Sequence, residues 1–380
     1  MKVAIIGGGA SGISAAISIK KNNKNVDVTI LERFDRIGKK LLATGNGKCN
    51  IGNINLDSSY YNNPDFVEKV IKRMPLKSYM DYLEKLGIYL KKDSEGRIYP
   101  FSDSTKTVLD ILIRNLEQLK VDIVTNFNVS NITREKKGFI VYNQEGDSLY
   151  FDKVVLCYGS KSQTKDVTIT KTLEKLNHSI TRMHPVLVPL KLKENVKDVS
   201  GLRFKAKIDL YVDGNFTYSE SGEILFKDDG IGGIVILNVS RYIKKGKKNI
   251  LKINLINDLD YDLDKYLNTN KDLSVLELLE GIVHKKMALK LSKQISKATE
   301  IKEILQNLNF EVTDTYGYEF SQVTSGGISV NEINDMFESI KIPNLYILGE
   351  ALDVDGACGG YNLYFAFATG AILGKNIFTN

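Results

Sequence analysis

Cysteine is scarce in this 380-residue chain. The three cysteines, Cys49, Cys157 and Cys358, are odd in number, lie far apart and form no C-x-x-C pair. This spacing is typical of free thiols in a reducing compartment rather than of a disulfide framework. It also argues against a zinc site and against enzymes that reduce disulfides with paired cysteines.

Long apolar runs and histidines are also few. No stretch is apolar enough, for long enough, to span a bilayer, and the chain starts with a strand-like segment rather than a signal peptide. We therefore expect a cytoplasmic protein without a membrane partner. The three histidines, His178, His184 and His284, belong to no visible Ser-His-Asp set or group of metal ligands.

The charge of the chain is moderately basic, with a formal net charge of +6. Lysines alternate with acidic residues along most of the chain, and no recognisable RNA or DNA module is present. The composition therefore does not favour a nucleic-acid partner. A hydrophobic content of 43% and a charged content of 26% are those of an ordinary globular protein, and the length allows two or three domains.

The first thirty residues carry the clearest motif. The apolar run 3–6 predicts a buried parallel strand, and Gly7, Gly9 and Gly12 after it form G-x-G-x-x-G before a segment with helical spacing. These glycines permit a tight turn, close approach of a pyrophosphate and close packing of the helix. Glu32 follows a second strand, where a carboxylate binds a ribose 2′-hydroxyl. The motif predicts an adenine dinucleotide but does not choose between NAD and FAD.

Further segments extend this unit. The glycine-rich stretch 38–50 leaves the second strand at the ligand-facing edge, where it is either a binding loop or a flexible surface loop. Helical spacing predicts helices over 60–87 and 105–119. The run 153–160 repeats the pattern of a strand that ends in glycine, at Gly159. Alternating segments predict a small β-meander, with strands at 129–133, 138–143 and 148–151.

The pattern changes near Pro185 and changes back near residue 319. Short strands at regular intervals predict an antiparallel or barrel-like β domain over 186–257, and apolar spacings of three and four predict a helical domain over 258–318. An apolar strand, a glycine loop and a final helix follow. We therefore predict an α/β fold in which a Rossmann-like domain, 1–185 with 319–380, is interrupted by a two-part insertion.

Taken together, these segments resemble those of a known family. It is similar to the bacterial FAD-binding flavoproteins related to aminoacetone oxidase, which include bile-acid-type 3-oxo Δ4 reductases and are often described as NAD(P)/FAD-dependent oxidoreductases. The match covers nearly the whole chain. It is carried by Glu32 and by the segments 38–50, 184–190, 200–203, 222–226, 322–327 and 349–362.

The resemblance implies FAD as the cofactor and assigns its contacts position by position. The pyrophosphate would contact Gly7, Gly9, Ala10, Ser11 and Gly12. The adenosine side would contact Glu32, Arg33 and Val129. The flavin side would contact Lys40, Gly45, Asn46, Cys49 and Asn50, and the edge at Gly159 completes the dinucleotide domain. Ribityl and phosphate groups would contact Gly349, Glu350 and Asp353, and the isoalloxazine Gly360, Tyr361, Asn362 and Leu363.

The chain departs from the family pattern on the expected substrate side. Residues 163–170 read Gln-Thr-Lys-Asp-Val-Thr-Ile-Thr where the family continues with a proline and several glycines. Gly232 and Gly233 replace a serine and a proline, and Gly52 stands where threonine is frequent. Contacts from these positions to the cofactor or substrate are therefore in doubt.

The resemblance implies a flavin oxidoreductase with hydride transfer at N5. In its reductase form, NADH or NADPH is a transient donor and a small or hydrophobic unsaturated substrate is reduced. In its oxidase form, an amine or amino-ketone reduces the flavin and oxygen reoxidises it. An RNA-associated flavoprotein is a further alternative. Tyr361 and His184 are the candidate catalytic residues, and Cys49 and Cys358 are either packed side chains or redox groups.

Overall fold

A computed structural model describes residues 1–162, 177–257 and 260–378. The chain forms two compact units, residues 1–184 with 323–380 and residues 185–322. The strands are β1 (Lys2–Ile6), β2 (Asp27–Leu31), β3 (Gly52–Asn53), β4 (Leu90–Lys92), β5 (Arg97–Pro100), β6 (Asp122–Val124), β7 (Val129–Arg134), β8 (Phe139–Asn143), β9 (Ser148–Phe151), β10 (Lys153–Leu156), β11 (His184–Val186), β12 (Leu190–Leu192), β13 (Arg203–Val212), β14 (Asn215–Lys227), β15 (Gly230–Gly232), β16 (Asn249–Asn254), β17 (Leu308–Thr315), β18 (Val323–Ser325) and β19 (Leu345–Ile347). The helices are α1 (Ala10–Asn22), α2 (Lys39–Leu42), α3 (Pro64–Arg73), α4 (Leu76–Lys85), α5 (Thr105–Gln118), α6 (Ile234–Val239), α7 (Leu263–Thr269), α8 (Val275–Glu280), α9 (Lys285–Ser292), α10 (Ile301–Gln306) and α11 (Tyr361–Asn376).

The first unit is built on a parallel sheet with the strand order β19-β10-β1-β2-β6. Four of the five residues of β1 are buried, as expected for a central strand covered on both faces. The last helix, α11, packs on the first, α1. The Ser14 hydroxyl donates to the Phe367 carbonyl at 2.7 Å and the Ser18 hydroxyl to the Ala371 carbonyl at 2.9 Å. The end of the chain therefore completes the domain that its beginning starts.

Two small antiparallel sheets extend this unit. The order β7-β8-β9 forms the predicted meander, and β3-β5-β4 forms a second sheet. The prediction of one helix over 60–87 is wrong, because α3 ends at Arg73 and α4 begins at Leu76. Pro75 separates them, since proline lacks the N–H that helix continuation needs and disfavours helical geometry at the residue before it.

The second unit is a closed six-stranded antiparallel barrel with short helices. The strand order is β12-β15-β14-β13-β16-β17, and the barrel encloses its own apolar core. Phe226 and Phe310 meet in that core with ring centroids 5.8 Å apart. The fold class predicted from the sequence, a Rossmann-like domain interrupted by a barrel-like and helical insertion, is confirmed. Within the described ranges, every helix is too short or too polar to cross a membrane.

Candidate functional site

Three glycines shape the turn between β1 and α1. Gly7 has a φ of 104°, and a Cβ there would lie 2.5 Å from the Cys157 carbonyl oxygen. A Cβ on Gly12 would lie 2.0 Å from the Gly7 carbonyl oxygen, so only glycine allows this close packing. A Cβ on Gly9 would meet no described atom within 4 Å. The open space at Gly9 fits a pyrophosphate, which must approach the backbone closely.

The N-terminus of α1 faces this turn. Gly9 precedes the helix, and no side chain of the described residues caps it. The first N–H groups of a helix have no acceptor inside the helix, and its dipole favours an anion there. A Cβ on Gly349 would lie 2.8 Å from the Ser11 hydroxyl oxygen. The structure therefore brings Gly349 beside the predicted pyrophosphate residues.

Glu32 is fixed at the edge of the sheet beside the same turn. Its side-chain oxygens accept hydrogen bonds from the Gly8 N–H at 2.8 Å and from the Phe34 N–H at 3.0 Å. The residue is only 7% exposed. A carboxylate offers about four acceptor sites, so lone pairs remain for ribose hydroxyls. This acceptor fits the ribose hydroxyls of an adenosine and repels a 2′-phosphate.

Arg33 and Val129 are the two other residues predicted on the adenosine side. Arg33 follows Glu32 in the chain, and Val129 lies near it in the fold. The Arg33 guanidinium lies 4.5 Å from the centre of the Phe34 ring. The Phe127 N–H donates to the Glu32 carbonyl at 2.9 Å, and Val129 opens β7 two residues later. Val129 is 3% exposed, so its side chain is packed, and only its backbone at the start of β7 remains to contact a ligand.

Lys40 and Glu350 form a polar cluster at the carboxyl end of the parallel sheet. The Lys40 ammonium lies 3.0 Å from the Glu350 carboxylate and donates to the Ser162 hydroxyl at 2.8 Å. The other Glu350 oxygen accepts from the Ser160 hydroxyl at 2.6 Å and the Thr324 N–H at 3.0 Å. The carboxylate charge is therefore balanced by a cation and by neutral donors. In open α/β folds, ligands bind at this end of the strands.

Gly159 lies against this cluster. Its φ is 74°, and a Cβ there would lie 3.7 Å from the Lys40 ammonium and 3.9 Å from the Glu350 carboxylate. The Asp353 carboxylate is held nearby in the C-terminal segment. It accepts from the Gly326 N–H at 3.1 Å and from the Asn62 side-chain amide at 3.0 Å. Glu350 and Asp353 thus bond to protein groups, which makes them supports of the site.

The glycine-rich loop 38–50 contains several left-handed residues. Gly45 and Asn46 have φ values of 56° and 52° and are exposed, and Cys49 has a φ of 62° and is fully buried. Burial raises the pKa of the Cys49 thiol to about 11, although hydrogen bonds with Thr44 and Thr105 lower it. The thiol is therefore protonated at neutral pH and packed, which removes the main basis for a redox role.

Asn50 ties this loop to two other elements. In the amide orientation that satisfies its neighbours, its nitrogen donates to the Gly52 and Ile98 carbonyls at 2.9 and 3.2 Å. Its oxygen accepts from the Gly360 N–H at 3.2 Å. The side-chain atoms of Asn50 therefore bond to protein, and any flavin contact from this residue would come from its backbone.

The N-terminus of α11 lies at the other side of the site. Gly360 has a φ of 99°, and a Cβ there would lie 2.4 Å from the Gly52 carbonyl oxygen. The Asn362 side chain closes the preceding loop, since it accepts from the Gly356 N–H at 2.8 Å and donates to the Gly356 carbonyl at 2.9 Å. No described side chain caps α11. Its first turn, which includes Leu363, therefore carries the positive partial charge of a helix N-terminus.

The two candidate catalytic residues have different surroundings. Tyr361 is 4% exposed and stacks on Tyr60 with ring centroids 4.5 Å apart. Burial raises the pKa of Tyr361, and its hydroxyl donates to the Asn55 carbonyl at 3.3 Å. His184 is exposed and lies 3.5 Å from the Arg182 carbonyl. Packing accounts for Tyr361, and no described contact links His184 to the cluster around Lys40.

A buried Ser-His-Glu arrangement was missed by the sequence reasoning. The two ring nitrogens of His178 lie 2.7 Å from the Glu332 carboxylate and 3.1 Å from the Ser339 hydroxyl. The Ser339 oxygen also accepts from the N–H groups of Lys341 and Ile342. Ser339 is only 4% exposed, so it cannot attack a substrate. The arrangement is a structural link rather than a hydrolytic triad.

The departures from the family pattern have different outcomes. Residues 163–170 lie outside the described residues. Gly232 ends β15, and Gly233, with a φ of 101°, precedes α6. A Cβ on Gly233 would lie 2.4 Å from the Glu223 carbonyl oxygen, so this turn requires glycine. A Cβ on Gly52 would meet Tyr79 and Ile98 at ordinary contact distances of 3.4 and 3.5 Å.

Comparison with known proteins agrees with the Rossmann-like fold described above. The family model described as "HI0933-like protein Rossmann domain" matches residues 1–376. A "3-dehydro-bile acid delta(4,6)-reductase" of Clostridium scindens is 34% identical, and the alignment covers 98% of each chain. A "Ribosomal RNA dihydrouridine synthase" of Escherichia coli is 25% identical, and the alignment covers 96% of this chain and 95% of that protein.

A solved structure shares the fold. The 3-ketosteroid-Δ4-(5α)-dehydrogenase of Rhodococcus jostii RHA1 superposes with a TM-score of 0.51 at 12% identity, over 98% of this chain and 95% of its own. At that identity the similarity concerns the architecture alone. It agrees with the Rossmann-like sheet and the inserted unit described above.

Proposed function

The chain belongs to the HI0933-like Rossmann family and is an FAD-dependent oxidoreductase, and we propose that it reduces a carbon–carbon double bond conjugated to a carbonyl group. NADH or NADPH is the proposed electron donor. The proposed substrate is a small or hydrophobic molecule, of which a cyclic enone is the simplest form.

The observation that carries this proposal is the 34% identity to the Clostridium scindens reductase over 98% of both chains. That protein's name denotes reduction of double bonds conjugated to a ketone. The name of the Escherichia coli relative denotes saturation of a uracil ring, in which the reduced double bond is also conjugated to a carbonyl. Both names therefore describe reduction of a double bond conjugated to a carbonyl, which is the reaction proposed for this chain.

The residues of the site support a bound FAD. When bound, FAD supplies two-electron hydride chemistry, and the protein supplies orientation and electrostatics. The N-terminus of α1 and the space at Gly9 fit the pyrophosphate, and Glu32 fits the ribose. The N-terminus of α11 is oriented to stabilise negative charge at the pyrimidine edge of a flavin. The ion pair of Lys40 and Glu350 fixes both side chains at the same sheet edge without adding net charge.

A second candidate substrate is uridine in RNA. The alignment to the Escherichia coli relative over 96% of this chain favours it, and a net charge of +6 is compatible with a polyanion. Both candidate substrates would undergo the same reaction, and they differ in the molecule that contains the double bond. RNA binding would weaken steeply with salt, whereas binding of a neutral enone would not.

An anaerobic experiment tests the proposal. The FAD-loaded protein is mixed with NADH and then NADPH while the flavin absorbance is followed, and afterwards with 4-androstene-3,17-dione or unmodified ribosomal RNA. Bleaching by a nicotinamide and recovery of colour with one of these acceptors is the expected result. A flavin that neither coenzyme bleaches, and that an amine or amino-ketone reduces, would favour the oxidase alternative instead.

A further inference from the structure

One face of the small sheet β3-β5-β4 carries polar side chains that are not among the predicted FAD contacts. Burial alternates along β5, so that Ile98 and Pro100 are buried while Arg97 and Tyr99 lie on the opposite face and are partly exposed. Residues paired directly across an antiparallel ladder share a face. Asn53 pairs with Arg97, and the three side chains therefore lie on the same face.

This face is attached to the loop that precedes α11. The Asn53 side-chain amide donates to the Gly359 carbonyl at 3.1 Å, and Asn53 is only 6% exposed. Tyr99 is two residues along β5 from Arg97, the partner of Asn53, so its side chain lies beside that of Arg97 on this face. The glycine loop 358–360 is the segment expected beside the isoalloxazine. Arg97 and Tyr99 therefore lie next to the reacting end of the cofactor site rather than its adenosine end.

Arg97 is held in place, whereas the Tyr99 hydroxyl is available. The Arg97 guanidinium donates to Asp93 at 2.7 Å and lies 3.1 Å from the Glu95 carboxylate. The Tyr99 hydroxyl makes no hydrogen bond with any described residue. Burial raises the pKa of Tyr99, and the nearby Arg97 lowers it in part. The phenol thus remains a neutral donor throughout the physiological pH range.

We infer that Tyr99 donates a hydrogen bond to the carbonyl oxygen of the conjugated substrate. This inference rests on the proposed function. Hydride adds to the carbon β to the carbonyl, and the double-bond electrons move toward the carbonyl oxygen, where negative charge develops. The Tyr99 hydroxyl stabilises that charge and keeps its proton. The α carbon then takes a proton from solvent, so the substrate gains two hydrogens while NAD(P)H is oxidised.

The test compares Tyr99→Phe with the matched control Tyr89→Phe. Tyr89 precedes β4 in the same sheet, is 70% exposed and packs against the ring of Phe101. Flavin bleaching by NADPH and reoxidation by 4-androstene-3,17-dione are measured separately under anaerobic conditions. We expect Y99F to bleach at the wild-type rate and to reoxidise about 100-fold more slowly, the usual effect of losing one donor to a developing oxyanion. Y89F should match the wild type in both steps.

A binding measurement gives a second readout that does not depend on turnover. The saturated ketone 5α-androstane-3,17-dione presents the same oxygen without the reactive double bond, and its binding perturbs the flavin spectrum. We expect Y99F to bind it about tenfold more weakly, as for a lost hydrogen bond of about 1.4 kcal/mol.

The outcomes separate this inference from the proposed function. If the wild type reoxidises with the enone and Y99F does so equally fast, the role of Tyr99 is overturned and the reductase function stands. If Y99F slows bleaching and reoxidation alike, the residue supports the fold and the inference also fails. If the wild type transfers electrons to no conjugated carbonyl, the proposed function fails and the inference fails with it.

Discussion

Lys40 and Glu350 form an ion pair of 3.0 Å across 310 positions of sequence. Lys40 belongs to the short helix after the second strand, and Glu350 follows the last strand of the sheet. The pair therefore joins the loop predicted on the flavin side to the segment predicted at the ribityl chain. The side chains of Lys40 and Glu350 are 31% and 19% exposed, so solvent screens the ion pair only partly.

Removing the Lys40 charge should weaken FAD binding. Lys40→Met leaves Glu350 as an unpaired carboxylate beside the position assigned to the phosphates, and we expect charge repulsion to raise the Kd for FAD about tenfold or more. Lys39→Met is the matched control, because the Lys39 ammonium contacts Asp35, four residues earlier, and the Phe34 ring, and has no described contact with Glu350. Titration of apoprotein with FAD, followed by fluorescence quenching, measures both. Equal Kd values for the two variants would contradict the assignment of Lys40.

Two glycines of the first turn should respond differently to the same substitution. A Cβ on Gly12 would lie 2.0 Å from a backbone oxygen, so Gly12→Ala should destabilise the apoprotein by about 1–3 kcal/mol. A Cβ on Gly9 would meet no described atom, so Gly9→Ala should leave the Tm of the apoprotein unchanged. We nevertheless expect G9A to lose FAD binding, because its methyl group occupies the space assigned to the pyrophosphate. Normal FAD affinity in G9A would refute that assignment.

Cys49 should behave as an inert thiol. Its pKa of about 11 in the folded protein lies above the ordinary value of 9.0, so the native thiol stays protonated where the unfolded chain ionises. The native state therefore loses stability as the pH rises from 9 through 11. At pH 8 we expect iodoacetamide to modify the less buried Cys358 and to spare Cys49, as measured by peptide mass mapping. Rapid modification of Cys49 in the native protein would reopen the redox hypothesis.

Glu332 should stabilise the protein through His178 and Lys341. Burial raises the pKa of its carboxyl, but hydrogen bonds from Lys341, Ser179 and His178 lower it to about 2 overall. Its stabilising effect is therefore complete above pH 4.5 and is lost as the pH falls toward 2. We expect Glu332→Gln to cost about 1–3 kcal/mol at pH 7, since it weakens the hydrogen bonds that the carboxylate makes with Lys341, Ser179 and His178.

Urea unfolding at pH 7 and at pH 3 measures this effect. The exposed Glu117 provides the control, and Glu117→Gln should change stability by less than about 0.5 kcal/mol. The difference between E332Q and the wild type should shrink at pH 3. A difference that is the same at both pH values would show that the carboxylate charge is not what stabilises the link.

The features predicted from the sequence are those that depend on local spacing. The glycines at 7, 9 and 12 and the carboxylate at 32 need only a strand, a turn and a helix of ordinary length, which neighbouring residues determine. The barrel was predicted from short strands at regular intervals. The single helix predicted over 60–87 is instead two helices, because Pro75 interrupts a segment whose apolar spacing continues on both sides of it.

The features that could not be predicted depend on distant contacts. His178 meets Glu332 across 154 positions and Ser339 across 161, and no local pattern marks such a pair. The pair of Lys40 and Glu350 is similar, since each residue was predicted to contact FAD but not the other. Arg97 and Tyr99 were within reach of sequence reasoning, because alternation along β5 puts them on one face. Only the structure attaches that face to the loop at Gly359.

The most direct test of the central claim is a single anaerobic turnover with product analysis. Protein reduced by one equivalent of NADPH is mixed with 4-androstene-3,17-dione, and the flavin absorbance and the mass of the steroid are measured together. The account predicts that the flavin colour returns without oxygen and that the steroid becomes two mass units heavier, as expected for addition of two hydrogens to one double bond. A flavin that stays bleached with every conjugated carbonyl and regains its colour only with oxygen would contradict the account.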